Sequence, residues 1–205
     1  MNETKTMWTR QVPEVWEELK TKGTYRVKEE YIRRKNDTIA DYYLKLYTWY
    51  TKEARKYMEI PAALLYPIWL SMDQANMLQS VENTVILEVE VPGDQYLICN
   101  MELWDYRVNY WYAPLGAEDH ERHRQELLRY GIHGEDELIS GPKGNFYPAL
   151  RRKITDSWER VFTVPPNKVS EAAATVWELR REWVKEVTFC DKDKGRIFDH
   201  VDGTK

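Results

Sequence analysis

The hydrophobic period of the chain changes within its first 23 residues, and this change constrains the fold more than any other sequence feature. Thr6 to Gln11 form a short apolar–polar run that predicts a strand. Apolar residues then recur at helical spacing from Pro13 to Lys22, with proline at the first helical position and Gly23 suited to a left-handed cap. A strand that leads directly into a helix indicates a fold that mixes the two.

Helical patterns continue through much of the chain. A long helix is predicted over residues 28–58, with a break at Asn36-Asp37-Thr38, where one residue is suited to an N-cap. Its inward stripe is predicted to be Ile39, Tyr43, Leu46, Tyr47, Tyr50, Ala54 and Tyr57. The other predicted helices cover residues 101–112, residues 117–130 up to Gly131, and a segment that begins at Thr155-Asp156-Ser157.

Alternating apolar residues mark the strands. The clearest strand covers Thr84 to Val91, and a Pro92-Gly93-Asp94 turn follows it. Gln95 to Cys99 come after the turn and are the predicted partner of that strand. The remaining predicted strands cover residues 66–71, 173–179 and 186–190. The first of these is expected at a sheet edge, because Pro67 has no N–H to donate.

These elements predict an α+β fold in a single domain over residues 1–205. The expected sheet is small, mixed or mainly antiparallel, and flanked by helices. The segments at about 28–58 and 117–145 are interpreted as helical insertions. The sequence carries no internal repeat, and no linker marks a second domain.

Charge and composition narrow the functional classes. The chain has 30 basic and 34 acidic residues, a net charge of −4, which argues against bulk electrostatic capture of nucleic acid. The net charge does not exclude a local basic pocket. Two cysteines favour a reducing compartment, and no apolar run approaches the roughly 20 residues of a membrane span. The sequence therefore predicts a cytoplasmic protein without a signal peptide, whose charged tail after Asp191 frays at its end.

Two distant side chains form the sharpest candidate site. Arg10 lies where a strand stops and a helix begins, a position suited to gripping an anion in a cleft. Glu178 occupies a comparable place near the other end of the chain. An arginine binds phosphate through two parallel hydrogen bonds. The alternative is that both are ordinary strand-end charges, which could pair with each other.

Other motifs carry weaker signals. His120 and His123 share a helix face at metal-ligand spacing, but their segment is charged throughout and favours a solvated helix, so no metal site is predicted. The basic clusters Arg151-Arg152-Lys153 and Arg180-Arg181 suit phosphate or RNA, or simply a solvated surface. Asn109 to Tyr112 could stack on bases, although a buried helix end with Trp104, Val108 and Trp111 facing inward is favoured.

An ordered series of short motifs runs through nearly the whole chain. Its members are Trp8-Thr9-Arg10-Gln11, Val15-Trp16-Glu17, Gly23-Thr24-Tyr25, Pro67-Ile68-Trp69, Leu87 to Pro92, Trp104 with Asn109 to Tyr112, Ser157 to Phe162, and Val176 to Leu179 with Val184 and Val187. The series resembles a family of small bacterial and phage proteins grouped as a domain of unknown function. Segments 28–56 and 117–145 match this family least well, and the resemblance implies no particular activity.

The layout also resembles, more distantly, the ADP-ribosyltransferase superfamily. Members have an early strand that ends in Arg or His, split sheets, and a Glu beside a late strand, and Arg10 and Glu178 match the first and last positions. Tyr66, Trp69 and Ser71 are the candidates for the middle position, where this chain shows no clean copy of the superfamily pattern. The resemblance implies a split sheet, NAD as the substrate, and a possible NAD-dependent ADP-ribosyltransferase.

In this interpretation the predicted site divides into catalytic and binding residues. Cleavage of the nicotinamide–ribose bond develops positive charge on the ribose, which the carboxylate of Glu178 would stabilise. Arg10 would hold phosphate or ribose, with Gln11 beside it, and the rings of Trp8, Tyr25 or Trp69 would stack on a base.

Two further functions fit the same sequence. One is a phage or bacterial protein that sequesters a nucleotide signal in defence or counter-defence, for which Arg10 but not Glu178 is needed. The other is an RNA-binding domain with a PUA-like barrel, in which the basic clusters would matter. A nucleotide partner is therefore expected, a macromolecular acceptor is possible, and no membrane partner is predicted.

Overall fold

The computed structural model describes residues 3–191 and 195–200. Proximity of Cα atoms divides the chain into two compact units, residues 1–98 with 172–205, and residues 99–171. Helices and a mainly antiparallel sheet are mixed in the described chain, so the predicted α+β class is confirmed. The single domain and the ADP-ribosyltransferase-like arrangement stay predictions. None of the described helices is long and apolar enough to cross a membrane.

Nine strands build the two sheets of the described chain. They are β1 Thr4–Gln11, β2 Thr24–Tyr25, β3 Ile68–Ser71, β4 Thr84–Pro92, β5 Leu97–Asn100, β6 Ala172–Val176, β7 Leu179–Arg180, β8 Val184–Asp191 and β9 Gly195–His200. The larger sheet has the order β5-β6-β3-β1-β4-β8-β9, and β2 pairs with β7 in a separate two-stranded sheet. The pairs β1–β3, β1–β4, β3–β6, β4–β8 and β8–β9 are antiparallel.

Strand β1 lies in the interior of the larger sheet. It pairs with β4 along its full length, from Thr4 opposite Pro92 to Gln11 opposite Val85. The alternation of β1 buries Met7 and Thr9, and Met7 joins the apolar residues of β4 in the core. Arg10 is therefore held at the end of a strand that neighbouring strands fix on both sides.

Two sequence predictions about strand pairing are wrong. Strand β3 was expected at an edge, but it lies between β1 and β6, because Pro67 precedes the strand and removes no hydrogen bond from the ladder. The segment containing β5 was expected to pair with β4. Strand β4 instead has β1 and β8 on its two sides, and β5 lies beside β6 at the sheet edge.

Three helices belong to the same unit as the core of the sheet. They are α1 Pro13–Lys22, α2 Glu29–Asn36 and α3 Ala40–Ala54, and the predicted break between the last two is confirmed. Gly23 adopts the expected left-handed conformation, with φ of 76°. The predicted stripe is wrong at its ends. Ile39 and Tyr57 are 54% and 39% exposed, because they lie before and after α3.

The second unit is helical. Its helices are α4 Met101–Val108, α5 Ala117–Arg129, α6 Asp136–Ile139, α7 Lys143–Phe146, α8 Pro148–Ser157 and α9 Arg160–Thr163. The predicted helix over 101–112 ends early, since Tyr110 has a φ of 62° that a helix does not allow. Trp111 was expected to face inward but is 47% exposed. Thr155 to Ser157 were expected to begin a helix, but they form the end of α8, which begins at Pro148. The predicted fraying of the last residues falls outside the described chain.

Candidate functional site

A cavity of about 150 Å³ lies beside the end of β1. Its polar lining residues are Thr9, Arg10, Gln11, Lys35 and Asn36. Its aromatic lining residues are Tyr25, Tyr31, Tyr47 and Trp69. We call it the Arg10 cavity. Strands β1, β2 and β3 supply one part of its wall, and helices α2 and α3 supply another.

Four of the five predicted binding residues line this cavity. They are Arg10, Gln11, Tyr25 and Trp69. Trp8 does not, and its indole N–H donates instead to Glu88 Oε2 at 3.0 Å. The sequence motif Trp8-Thr9-Arg10-Gln11 therefore contributes its last three residues to the cavity.

Two cations and no carboxylate line the Arg10 cavity within the described residues. Arg10 Nη1 donates to the carbonyl oxygen of Gln79 at 2.7 Å, a neutral partner that does not compensate the guanidinium charge. The Lys35 side chain is exposed, yet desolvation by its neighbours lowers the pKa of Lys35, and the positive charge of Arg10 lowers it further. The cavity is electropositive even though the whole chain is acidic.

The aromatic residues provide ring surface, and three of them are tyrosines that carry a hydroxyl group. The Tyr47 and Trp69 ring centroids are 6.5 Å apart, and those of Tyr25 and Tyr31 are 6.4 Å apart. Burial raises the pKa of Tyr47 to about 12. Like other tyrosine phenols, its hydroxyl is neutral at pH 7 and is able to donate a hydrogen bond. Such walls suit a planar ring, and the cations suit an anion.

Glu178 lies in a different place. It follows β6 and lines a cavity of about 570 Å³, which we call the Glu178 cavity, together with Arg26, Arg180 and Trp183. Arg26 Nε and Nη2 both lie 2.7 Å from Glu178 Oε2, and Arg180 Nε donates to Oε1 at 3.3 Å. Its side chain is 18% exposed.

Among the described residues, none lines both cavities. The expected convergence of Arg10 and Glu178 on one cavity is therefore not observed in the described chain, and Glu178 pairs with Arg26 and Arg180 rather than with Arg10. Of the candidates for the middle catalytic position, Trp69 lines the Arg10 cavity. The Tyr66 hydroxyl donates a hydrogen bond to Glu29 Oε2 at 3.3 Å, and Tyr66 lines neither the Arg10 cavity nor the Glu178 cavity.

Sequence reasoning missed several residues of the Arg10 cavity. Lys35 and Tyr31 are four positions apart and share one face of α2, a spacing that could have paired them. Tyr47 appeared only as part of a core stripe. Arg26, which holds Glu178, carries no sequence signal because their contact spans 152 positions.

The histidine and basic clusters have structural contacts of their own. His123 is fully buried and stacks on Tyr112 at 4.2 Å between centroids, so the prediction of a solvated helix is wrong at this position. It lies on the same face of α5 as the buried Leu127. The described residues contain no group of three or more side chains that could hold a metal ion. Arg181 lies over the Trp16 ring at 4.8 Å.

Comparison with known proteins places the chain in a sequence family. A family model described as "Domain of unknown function (DUF3841)" matches residues 6–185. The predicted resemblance to a domain of unknown function is confirmed by this match. Comparisons with curated proteins and with solved structures give no match. The geometry of the cavities is therefore the basis for any functional argument.

Proposed function

Because the chain belongs to DUF3841, a family of unknown function, we propose its function from the Arg10 cavity: it binds a nucleotide of the NAD or ADP-ribose type. The observation that carries the proposal is that two cations, Arg10 and Lys35, line an aromatic cavity that lacks a carboxylate in the described chain. The cations hold phosphate, and Tyr31, Tyr47 or Trp69 packs against a ring of the ligand.

The electrostatics of the free cavity support an anionic ligand. Arg10 and Lys35 repel each other, which is one reason why the pKa of Lys35 is lowered, after its desolvation. A phosphate between the two charges would replace this repulsion with charge-assisted hydrogen bonds. Such bonds contribute about 1.5–3 kcal/mol each in typical proteins.

The size of the cavity limits how much of a nucleotide it encloses. Its volume of about 150 Å³ is below the roughly 300–1,000 Å³ of most small-molecule sites. The cavity therefore encloses only a part of the nucleotide. The rest of the nucleotide lies outside, near Leu78, which lines the cavity and is 56% exposed.

Calorimetric titration with NAD, ADP-ribose and AMP tests this proposal. We expect at least one of them to bind, and Arg10→Gln to weaken that binding by about ten- to a hundredfold, the equivalent of one charge-assisted contact. Lys35→Gln should weaken it about three- to tenfold. Lys5→Gln removes the same charge from β1 outside the cavity and should leave the affinity unchanged. Equal affinities for Arg10→Gln and the native protein contradict the proposal.

Transfer of ADP-ribose is a second candidate, supported by the Glu178 cavity. This cavity is large enough for a whole nucleotide, and it places a carboxylate beside two guanidinium groups. In this reading Arg26 and Arg180 hold the diphosphate, and Glu178 stabilises the positive charge on the ribose.

Incubation with NAD and a cell lysate, followed by measurement of nicotinamide release, tests the transfer. The native protein should release nicotinamide, and Glu178→Gln should do so about a hundredfold more slowly. If the native protein and Glu178→Gln both bind a nucleotide but neither of them releases nicotinamide, the protein sequesters the nucleotide without chemistry. If neither protein binds a nucleotide or releases nicotinamide, the binding and the transfer proposals both fail.

A further inference from the structure

A second ligand-sized feature lies wholly within residues 99–171. It is a groove of about 550 Å³ between α4, α5 and the segment after α5. We call it the Trp111 groove, and the residues that matter for its chemistry are Asp105, Tyr106, Trp111, His120, Leu127 and Ile132. In the part of the chain that the structure describes, no residue of this groove lines the Arg10 or the Glu178 cavity, so ligand binding here is independent of the proposed function.

Three rings form one corner of the groove. The Tyr106 ring meets the Trp111 ring at 6.3 Å and 70°, and it meets the His120 ring at 6.3 Å and 79°. These rings meet edge to face and are not stacked face to face. Trp111 is 47% exposed, so a large aromatic surface stays in contact with solvent. Leu127 and Ile132, both nearly fully buried, form an apolar floor.

The uncompensated charge of the Trp111 groove is negative. Arg124 also lines it, but its guanidinium donates twice to Glu121 at 2.8 Å. The Asp105 carboxylate at the rim has no cationic partner among the described residues. Its desolvation raises the pKa of Asp105, as expected for a carboxylate that loses water without gaining a positive neighbour. Glu135 adds a second carboxylate, but this one is engaged: it accepts a hydrogen bond from the Tyr112 backbone N–H, and its Oε1 lies 3.4 Å from Nε2 of the buried His123.

Aromatic faces beside a carboxylate recognise organic cations, because the negative face of a ring attracts a weakly hydrated positive charge. The same unit already packs a cation in this way. The guanidinium of Arg107 lies 4.0 Å from the centroid of the buried Trp158 ring and 5.4 Å from that of Tyr110. The Trp111 groove offers comparable ring surface to a molecule from outside.

We propose that the Trp111 groove binds a small organic cation that has an alkylated ammonium group and an apolar body. The ammonium group lies over Trp111 and Tyr106 with Asp105 as its counter-charge. The apolar body covers Leu127 and Ile132.

Calorimetric titration of the whole protein with benzyltrimethylammonium at low ionic strength tests the proposal. Phenylacetate, an anion of similar size, is the comparison ligand. We expect saturable one-to-one binding of the cation and a much weaker response to the anion. Trp111→Leu and Asp105→Asn should each weaken cation binding about three- to tenfold. Trp111→Phe keeps a ring and should lose less than Trp111→Leu.

The control variant is Glu102→Gln, which removes one negative charge from α4 outside the groove and should leave the affinity unchanged. Circular dichroism establishes that each variant is folded. In the ¹⁵N spectrum, the Trp111 indole signal, assigned by its loss in Trp111→Phe, should shift as the cation is added. Absence of binding, equal binding of phenylacetate, or unchanged affinity in both Trp111→Leu and Asp105→Asn overturns the proposal. None of these outcomes bears on nucleotide binding by the Arg10 cavity.

Discussion

At the scale of single residues, Asp119 is the carboxylate with the densest set of partners in its unit. It accepts hydrogen bonds from the Leu115 N–H at 2.9 Å and the Tyr112 hydroxyl at 2.8 Å. Arg122 and Arg160 lie 3.3 and 3.2 Å away. Burial by itself would raise the pKa of Asp119, but these bonds and charges outweigh it and hold the pKa at about 2.

The lowered pKa makes the stability of the protein depend on pH. The ionised form of Asp119 favours the folded state, so its contribution is complete above the ordinary pKa of 3.8 and is lost as the pH falls through about 2. We expect Asp119→Asn to lower the free energy of unfolding by about 2 kcal/mol at pH 7. Urea unfolding at pH 7 and pH 3 should show the difference narrowing at pH 3. Asp156→Asn, an exposed carboxylate on α8, should change neither value.

Lys35 is expected to lower the stability of the free protein and to strengthen ligand binding. Its folded pKa is lowered by desolvation and by Arg10, so its charge disfavours the folded state, and stability gains as the pH rises through the folded pKa towards 10.5. Lys35→Met should therefore leave the Tm of the free protein at pH 7 unchanged or raise it by up to about 3 °C, while it weakens ADP-ribose binding. A variant that melts earlier and binds normally would contradict a ligand-binding role for Lys35.

At the scale of elements, the stability of helix α1 depends on Gly23, the glycine that caps its C-terminal end. Gly23 has a φ of 76°, and its N–H donates to the Leu19 carbonyl at 2.9 Å. A Cβ at Gly23 would meet no atom within 4 Å, so a substitution costs backbone strain alone. We expect Gly23→Ala to lower the free energy of unfolding by about 1 kcal/mol. Lys22→Ala, at the neighbouring position, should cost much less, and an equal cost in both variants would rule out the cap as the cause.

The elements also separate what sequence alone can predict from what it cannot. Helix α1 was predicted to its exact bounds, because proline, apolar spacing and glycine are all local signals. Strand β5 was located along the chain but given the wrong neighbour, because pairing with β6 joins residues far apart in sequence. The same contrast holds for the site. Four residues of the Arg10 cavity were found from local motifs, whereas the pairing of Glu178 with Arg26 was missed because these residues are far apart in sequence.

At the scale of the whole molecule, the acidic net charge separates nucleotide binding from RNA binding. An RNA-binding protein that contacts six to ten phosphates loses about 10³–10⁵ in affinity between 50 and 200 mM salt. With a net charge of −4 and a small electropositive cavity, we expect nucleotide affinity to fall less than about tenfold over this range. Fluorescence anisotropy with labelled ADP-ribose and labelled RNA measures both slopes. Tight RNA binding with a steep slope would favour the RNA-binding alternative.

The two-residue strand β2 gives the molecule one more property. Tyr25 on this strand lines the Arg10 cavity, and the next residue, Arg26, lines the Glu178 cavity. The short two-stranded sheet of β2 and β7, a ribbon of four residues, and the residue after it thus contribute to the walls of both cavities. A displacement of its backbone would change the shape of both cavities at once. If filling one compartment moves the ribbon, thermodynamic reciprocity requires that filling the other change the affinity of the first by the same factor.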